Sequence, residues 1–406
     1  MSEGKPKISF STTPGLLPKE EMLETAIRSS KMTVGIPREI SANESRIGLI
    51  PEAVKLLVNN GHRILFEERA GEKAHFSDHE YAEAGAEIKQ DRESVFGADV
   101  VIKIAPPIRE EIDMLEKRKC VMSVLQLPTR TKDYIQHLMA KKINAIAFEH
   151  IQDKTGALPL VRSMSEIIGN ATMLIAAEYL CHPQYGKGIM LGGFPGVAPV
   201  EVVIIGSGTV AEYASRVALG MGAFVKVFDN SMYKLRSLQN NVGTRLYTSI
   251  MHPHLIGKAL ETADVVIAAK HSPTGVSPCF IPEDMVRKMK AGSVIIDVSI
   301  DQGGCFETSR PTNHQNPVYQ VHGVTHYCVP NIASKVPQTA STSFSNFFAP
   351  LLIEIAESGG VDNALKVNRS FSRGAYIFNG VLTNQQISKL YDIPFQHLDL
   401  LLAAFY

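Results

Sequence analysis

The stretch that most constrains this chain is an apolar run that breaks into glycines and then resumes as a helical pattern. It reads Val202-Val-Ile-Ile-Gly206-Ser-Gly208-Thr-Val-Ala211. A second apolar run begins at Phe224 and ends at Asp229, about 20 residues after the glycines. A buried strand, a glycine-rich turn, a helix and a distant acid together form the G-x-G-x-x-A version of the dinucleotide-binding fingerprint. The sequence therefore predicts a Rossmann-type unit, although a bare strand-to-helix turn would carry the same glycines.

Each residue of the fingerprint has a physical role in holding a dinucleotide. Gly206 allows the tight turn, Gly208 lets the backbone approach a pyrophosphate, and the helix N-terminus offers N–H donors to the phosphates. The predicted contacts at the turn are Gly206, Ser207, Gly208, Thr209 and Val210. Asp229 would accept hydrogen bonds from the adenosine ribose hydroxyls and would repel a 2′-phosphate. The predicted cofactor is therefore NAD rather than NADP.

The composition sets limits on the class of protein. The 406 residues are enough for two domains, and 41 Lys and Arg balance 41 Asp and Glu, which indicates no nucleic-acid or anionic-membrane partner. No apolar run reaches the roughly 18 residues of a membrane-spanning helix, and the polar N-terminus lacks the apolar core of a secretory signal. The five cysteines are widely spaced and form no CxxC pair, so we expect no metal site and a reducing cytoplasm.

Strands alternate with helices on both sides of the fingerprint, which is the pattern of a parallel α/β sheet. Long apolar helices predicted over 159–180 and 341–357 would connect the two halves, and the chain beyond about Pro337 is expected to be helical. The prediction is two Rossmann-like, doubly wound parallel-sheet domains joined by long helices, with a cleft between them. The expected units are an N-terminal extension (1–31), a discontinuous substrate and catalytic domain (32–158 with 338–406) and an NAD-binding domain (159–337).

Further stretches of the chain carry motifs of one enzyme family. They are Gly35-Ile-Pro-Arg-Glu, Asn43-Glu-Ser-Arg-Ile-Gly-Leu-Ile-Pro, Met164-Ser-Glu, Gly192-Gly-Phe-Pro-Gly-Val, Ile300-Asp-Gln-Gly-Gly-Cys-Phe-Glu-Thr-Ser-Arg-Pro-Thr and Tyr327-Cys-Val-Pro-Asn. From about Met32 to its end the chain resembles alanine dehydrogenase and the NAD-binding subunit of proton-translocating transhydrogenase, and it is more similar to the alanine dehydrogenase branch. The resemblance implies NAD-dependent interconversion of L-alanine with pyruvate and ammonia, by a homo-oligomer that is a hexamer or a dimer.

The resemblance also implies roles for particular residues. Arg46 matches the arginine that binds the substrate carboxylate, for which a guanidinium is suited, and Asp301 matches the catalytic aspartate near the nicotinamide. The implied cofactor contacts are Ser165, Val298, Arg310, Asn331 and, at the adenosine end, Lys234. From the residues alone, Arg46 could instead form an ion pair, Asp301 could cap a turn, and Lys234 could be an exposed helix lysine.

Two positions depart from the family pattern. Ala105 replaces the lysine that binds the substrate carboxylate and carbonyl, and Gln126 replaces the catalytic histidine. Glutamine cannot carry a proton near neutral pH, and general acid–base catalysis is typically worth about 10²–10⁴-fold in rate. We therefore expect weak alanine turnover unless another group substitutes.

Candidate substitutes lie nearby in the sequence. Lys103 is two residues from Ala105 on the same side of a strand, so it could reach the cleft as a catalytic residue, or it could be a structural lysine. Glu149 and His150 end a neighbouring strand, where α/β sheets place ligands, and His150 could act as the base or be a loop histidine.

Two hypotheses stay open. The first is an NAD-dependent amino-acid dehydrogenase with an altered substrate or reduced activity. The second is an NAD-binding regulatory protein that has lost the chemistry.

Overall fold

The computed structural model describes residues 30–270 and 281–404, so nearly all of the expected extension 1–31 lies outside the described residues. The strands are β1 Thr33–Ile36, β2 Arg63–Glu67, β3 Glu87–Lys89, β4 Val100–Ile102, β5 Cys120–Ser123, β6 Asn144–Ala147, β7 Glu201–Ile205, β8 Phe224–Phe228, β9 Tyr247–Ser249, β10 Val265–Ala268, β11 Val294–Asp297, β12 Val318–Val321, β13 Val324–Tyr327, β14 Ala375–Phe378 and β15 Val381–Leu382. The α-helices are α1 Pro51–Asn59, α2 Asp78–Glu83, α3 Arg92–Phe96, α4 Arg109–Met114, α5 Lys132–Ala140, α6 Pro159–Leu180, α7 Thr209–Gly220, α8 Met232–Val242, α9 Pro253–Thr262, α10 Glu283–Arg287, α11 Pro337–Glu357, α12 Val361–Val367, α13 Arg369–Ser372, α14 Gln385–Tyr391 and α15 Leu398–Ala404.

The first sheet has the strand order β15-β14-β6-β5-β4-β1-β2-β3. Strands β1 to β6 pair in parallel, in the 3-2-1-4-5-6 order of a doubly wound sheet. At one edge β14 pairs antiparallel with β6, and β15 pairs antiparallel with β14. The order reverses between β1 and β4, which is where such sheets bind ligands.

The second sheet repeats this arrangement with the order β12-β13-β11-β10-β7-β8-β9. All of its strands run parallel except β12, which pairs antiparallel with β13. Strands β7 and β10 are almost wholly Val, Ile and Ala because helices cover a parallel sheet on both faces. The predicted fold of two Rossmann-like α/β sheets is confirmed.

Two long helices connect the sheets. Both α6 and α11 begin with proline at the first turn, where the missing N–H costs nothing. The early residues of α6 pack in the core of the first sheet, while its later residues, from Ala171 to Leu180, pack in the core of the second. One helix therefore spans both cores, and the cleft lies beside it. The exact domain boundaries at 158 and 337 stay a prediction.

Within the described part of the chain, no helix is both long enough and apolar enough to cross a membrane.

The expectation that everything after Pro337 is helical is wrong. Residues 375–382 form the β14–β15 hairpin, which extends the first sheet beside β6. A run of four buried residues has no period that separates strand from helix, and its pairing partner lies far away in the sequence. The glycine-rich motif that begins at Gly192 contains one isolated antiparallel bridge, between Phe194 and Val197.

Candidate active site

The carboxyl ends of the parallel strands in both sheets face one cleft of about 440 Å³. It is lined by Arg46, Val124, Phe148, Glu149, Leu160, Val161, Met164, Ser165, Ile168, Val210, Ala269, Lys270, Val298, Ser299, Asp301, Gln302 and Phe344. Five of the residues predicted from the sequence meet there, namely Arg46, Ser165, Val210, Val298 and Asp301. The cleft predicted between the two sheets is therefore present, with residues of both domains on its walls.

The fingerprint turn connects β7 to α7 at one end of this cleft. Gly206 has a φ of +109°, and a Cβ at this position would lie 2.4 Å from the Ala269 carbonyl oxygen. Gly208 has an ordinary φ of −81°, and its Cβ would meet no atom within 4 Å among the described residues. The Oγ of Ser207 is buried and has no hydrogen-bond partner there. An open cradle at a helix N-terminus with an unpaired buried hydroxyl fits the pyrophosphate of a dinucleotide.

Asp229 follows β8 and is almost fully buried. Its carboxylate accepts hydrogen bonds from the backbone N–H of Ser207 at 3.0 Å and of Ser231 at 2.9 Å, and from Lys270 Nζ at 3.1 Å. Burial raises the pKa of Asp229. These hydrogen bonds and the Lys270 charge lower the pKa by more than burial raises it, so the net pKa lies below the ordinary value. The carboxylate is thus ionised at neutral pH, which favours its predicted role as an acceptor for ribose hydroxyls.

Lys270 is a cleft residue that the sequence analysis missed. It follows β10, which pairs with β7 on the side opposite to β8, and its long side chain reaches Asp229 Oδ1 at the end of β8. Ser299 holds the Lys270 backbone, because its Oγ accepts the Lys270 N–H at 3.1 Å and donates to the Lys270 carbonyl at 2.9 Å. The available signal was the position of Lys270 at the end of a strand neighbouring the fingerprint.

Arg46 lies on the opposite wall of the cleft, in the loop between β1 and α1. Its Nε and Nη2 donate to the two carboxylate oxygens of Glu44 at 2.8 and 2.7 Å, and its Cζ lies 5.2 Å from the centre of the Phe344 ring. The Nη1 side approaches the sulfur of Met164 at 3.7 Å, and a thioether is a weak acceptor. The sequence-level alternative of an ion pair is therefore present, yet it fixes the guanidinium in the cleft.

Glu44 also links the two domains. Its carboxylate accepts hydrogen bonds from Asn331 Nδ2 at 2.9 Å and Ser334 Oγ at 3.3 Å, while Asn331 Nδ2 also donates to the Asn43 carbonyl at 3.1 Å. Burial raises the pKa of Glu44, but the Arg46 charge and the hydrogen bonds from Arg46 and Asn331 outweigh burial and lower the pKa overall. Asn331 thus joins the segment after β13 to the Arg46 loop. Its predicted contact with the cofactor stays a prediction.

Asp301 lies in the 3₁₀ turn Val298–Gln302 that follows β11, exposed on the cleft wall. Asp297 stabilises this segment by accepting hydrogen bonds from the Ser299 N–H at 3.1 Å, the Cys305 N–H at 2.7 Å and the Ser309 hydroxyl at 2.7 Å. Burial raises the pKa of Asp297 in spite of these bonds. The turn therefore presents Asp301 to the cleft from a well-anchored strand end.

Lys103 does not line the cleft. It is buried, and its Nζ forms an ion pair with Glu39 and lies 3.5 Å from Glu111 Oε1. Glu39 also accepts the Ile104 N–H at 2.5 Å, and burial raises the pKa of Glu39 to about 7 although Lys103 lowers it. Two buried carboxylates hold the ammonium because an unpaired buried charge is costly. The expectation that Lys103 reaches into the cleft is corrected in favour of the structural interpretation.

Other positions of interest also lie off the cleft. Gln126 is exposed, with a left-handed φ of +47°, and Ala105 is half-buried beside Glu39. Lys234 is exposed on the first turn of α8, and Arg310 is exposed with its guanidinium 4.2 Å from the centre of the Tyr319 ring. The cofactor contacts expected of Lys234 and Arg310 stay predictions.

Within residues 30–270 and 281–404, no group of three or more His, Cys, Asp or Glu side chains could hold a metal ion.

Comparison with known proteins agrees with this geometry. The alanine dehydrogenase/PNT N-terminal domain model matches residues 35–168, and the corresponding C-terminal domain model matches residues 172–385. The chain is 37% identical over 369 residues to alanine dehydrogenase of Staphylococcus epidermidis and to alanine dehydrogenase 2 of Staphylococcus aureus, covering 91% of this chain and 99% of each relative.

Solved structures give the same result. The structure of an L-alanine dehydrogenase aligns with a TM-score of 0.82 at 34% identity, covering 88% of this chain and 99% of that one. The structure of a transhydrogenase from Sinorhizobium meliloti aligns with a TM-score of 0.73 at 22% identity, over 87% and 99%, which shows the shared fold. Since two family models and these relatives together span nearly all of the described residues, the protein belongs to the NAD-dependent alanine dehydrogenase/PNT family and is an alanine dehydrogenase-like oxidoreductase.

Proposed function

We propose that this chain is an NAD-dependent dehydrogenase that interconverts L-alanine, or a closely similar small amino acid, with its 2-oxo acid and ammonia. The observation that carries this proposal is the cleft itself. It is lined by Arg46 from the loop after β1, by Asp301 from the turn after β11, and by Val210 from the first turn of the fingerprint helix α7. A guanidinium, a carboxylate and a dinucleotide cradle are the minimum set for a carboxylate-bearing substrate and a hydride acceptor.

In this proposal each cleft residue has a role that follows from its chemistry. Arg46 binds the substrate carboxylate from its Nη1 side, and Glu44 keeps the guanidinium from turning away. Asp301 lies across the cleft, where a negative charge favours the cationic iminium and can orient a water molecule. NAD, when bound, supplies the hydride acceptor. The apolar side chains on the walls, among them Leu160 and Phe344, exclude bulk water and strengthen these charge interactions.

The alternative is an NAD-binding regulatory protein that has lost dehydrogenase chemistry. Ala105 and Gln126 favour it, because a methyl group replaces an ammonium and an amide replaces an imidazole. Lys103 is the cation nearest to Ala105 in the sequence. Because it is paired with Glu39 and Glu111, it cannot take the place of the lysine expected at position 105. This alternative predicts tight NADH binding without turnover.

One assay separates the two functions. The purified chain is mixed with NADH, ammonia and a panel of 2-oxo acids that includes pyruvate, 2-oxobutyrate and glyoxylate, and the absorbance of the reduced nicotinamide is followed. We expect ammonia-dependent NADH oxidation, and the Arg46→Gln variant should lower kcat/KM about 100-fold because it loses charge-assisted hydrogen bonds. Binding without turnover for every acid would support the alternative, and failure to bind NADH would exclude both.

We also propose that the chain assembles as a homo-oligomer. The glycine-rich segment 190–197 exposes Met190, Phe194 and Val197 to solvent at 71%, 56% and 51%. Apolar side chains grouped in one exposed segment are typical of a surface that a partner covers. A second copy of the chain is the expected partner, as a hexamer or a dimer.

A further inference from the structure

The cleft contains a carboxyl group to which the preceding sections assign no role. Glu149 lies in the 3₁₀ turn Phe148–His150 that follows β6, and it lines the cleft. Its Oε1 accepts the Leu125 N–H at 2.6 Å, whereas its Oε2 is buried and has no hydrogen-bond partner among the described residues. Leaving a buried carboxyl oxygen unpaired costs free energy, and such exceptions in folded proteins call for an explanation such as a catalytic role.

Glu149 lies beside the position where the family keeps its histidine. Strands β5 and β6 are parallel neighbours, with Ser123 paired to Ala147, so the segments that leave them run side by side. Leu125, whose N–H holds Glu149, immediately precedes Gln126. Gln126 itself is exposed and does not line the cleft, so Glu149 is the titratable side chain from this part of the first sheet that lines it.

The surroundings of Glu149 favour the protonated form. Burial raises the pKa of Glu149, and the neighbouring His150 charge and the backbone N–H groups of Leu125 and Gln126 offset only part of this rise. From β14, Tyr376 faces the same group; burial raises the pKa of its phenol, and the Glu149 charge adds to the rise. Arg46, Lys270 and Asp301 are the other charged groups on the cleft walls. A carboxyl group whose pKa moves toward neutrality can act as a general acid.

We propose that Glu149 is the general acid–base of this cleft and does the work of the histidine that Gln126 replaces. The proposal rests on the proposed dehydrogenase function. After ammonia has added to the carbonyl carbon, the Glu149 carboxyl donates its proton to the hydroxyl oxygen of the adduct. The C–O bond breaks, its electron pair leaves with water, and the nitrogen lone pair forms the C=N bond. The carboxylate regains a proton from solvent, and in the deamination direction it accepts a proton from the attacking water.

The Glu149→Gln variant tests the assignment, since its amide oxygen can still accept the Leu125 N–H but its side chain cannot titrate. We expect kcat for reductive amination to fall about 100-fold or more, while the Kd for NADH stays within about twofold. The wild-type rate should fall as pH rises through the Glu149 pKa, and this limb of the profile should be absent in the variant. Glu149→Asp, which retains an acid, should keep the limb and recover part of the rate. A Glu149→Gln enzyme with a near-normal kcat, or with an unchanged pH profile, would overturn the proposal.

A binding measurement decides the question independently of turnover. Oxamate, an unreactive analogue of a 2-oxo acid, is titrated against the complex of the protein with NADH across the pH range, with nicotinamide fluorescence as the readout. Wild-type affinity should fall as pH rises, because ionised Glu149 repels the analogue and can no longer donate a hydrogen bond. The dependence should vanish in Glu149→Gln and persist in His150→Gln. If the wild type reduces no 2-oxo acid, the dehydrogenase proposal is wrong, whereas pH-dependent oxamate binding that survives Glu149→Gln refutes the assignment of Glu149.

Discussion

Replacing Gly206 and Gly208 separately by alanine should separate the folding of the fingerprint turn from its binding of cofactor. Only Ser207 separates the two glycines, yet their surroundings differ. A Cβ on Gly206 would lie 2.4 Å from the carbonyl oxygen of Ala269, in a backbone with φ of +109°. A Cβ on Gly208 would meet no described atom within 4 Å, in a backbone with φ of −81°. The first substitution should damage the protein and the second only its ligand site.

The magnitudes follow from these contacts. The Ala269 carbonyl cannot easily retreat, because the Ala269 N–H is bonded to the Ile205 carbonyl at 2.8 Å. Overpacking costs about 1–3 kcal/mol and a strained backbone region about 1–3 kcal/mol, so Gly206→Ala should lower the free energy of unfolding by about 3 kcal/mol. Gly208→Ala carries neither cost and should leave stability within about 1 kcal/mol of the wild type, because it mainly restricts the unfolded chain. Its methyl group stands in the pyrophosphate cradle and should weaken NADH binding about tenfold or more, which is about 1.4 kcal/mol.

Two measurements on each variant suffice. Urea unfolding without nucleotide gives the free energy of unfolding, and titration of NADH fluorescence gives the Kd. The reasoning about the cradle fails if Gly208→Ala binds NADH as tightly as the wild type. The reasoning about the turn fails if Gly206→Ala is as stable as the wild type, since a 2.4 Å contact cannot then exist in the folded protein.

Three further substitutions test other features. Lys103→Met leaves the Glu39 and Glu111 carboxylates without their shared cation and should lower the free energy of unfolding by about 3 kcal/mol, measured in urea; a lower kcat at unchanged stability would instead support a catalytic Lys103. Asp229→Ala removes the charge expected to repel a 2′-phosphate, so the ratio of the Kd values for NADPH and NADH should fall, and an unchanged ratio would refute this role. Phe194→Ser should weaken self-association in sedimentation experiments, whereas a wild type that sediments as a monomer would contradict the proposed oligomer.

Much of the fold could be read from apolar periodicity. The bounds of α6 are those expected from the sequence, and the alternation of strands and helices predicted both parallel sheets. The pattern failed for the β14–β15 hairpin, because a strand of four residues is stabilised by its neighbour in the sheet and not by its own periodicity. Of the predicted site residues, five line one cleft, namely Arg46, Ser165, Val210, Val298 and Asp301, and their roles stay predictions.

Lys103 and Lys270 show what the sequence left undecided. Both are lysines just after a parallel strand, and nothing in their local sequence distinguishes them. Lys103 meets the buried carboxylates of Glu39 and Glu111, whereas Lys270 lines the cleft and forms an ion pair with Asp229. The partner that a charged side chain finds depends on residues far away in the chain, so local pattern could not separate a structural ion pair from a cleft residue.

The sequence by itself determined the two Rossmann sheets and the dinucleotide fingerprint, and it led to the prediction that Ala105 and Gln126 replace a lysine and a histidine. Strand periodicity and glycine placement are local properties, and they can be recognised without knowledge of tertiary contacts. Only the tertiary structure decided that Glu44 fixes Arg46 and that the cleft holds Glu149 with one oxygen that has no hydrogen-bond partner in the described part of the chain. These facts arise where strand ends from distant parts of the chain converge, and the burial and pairing of a charge exist only after that convergence.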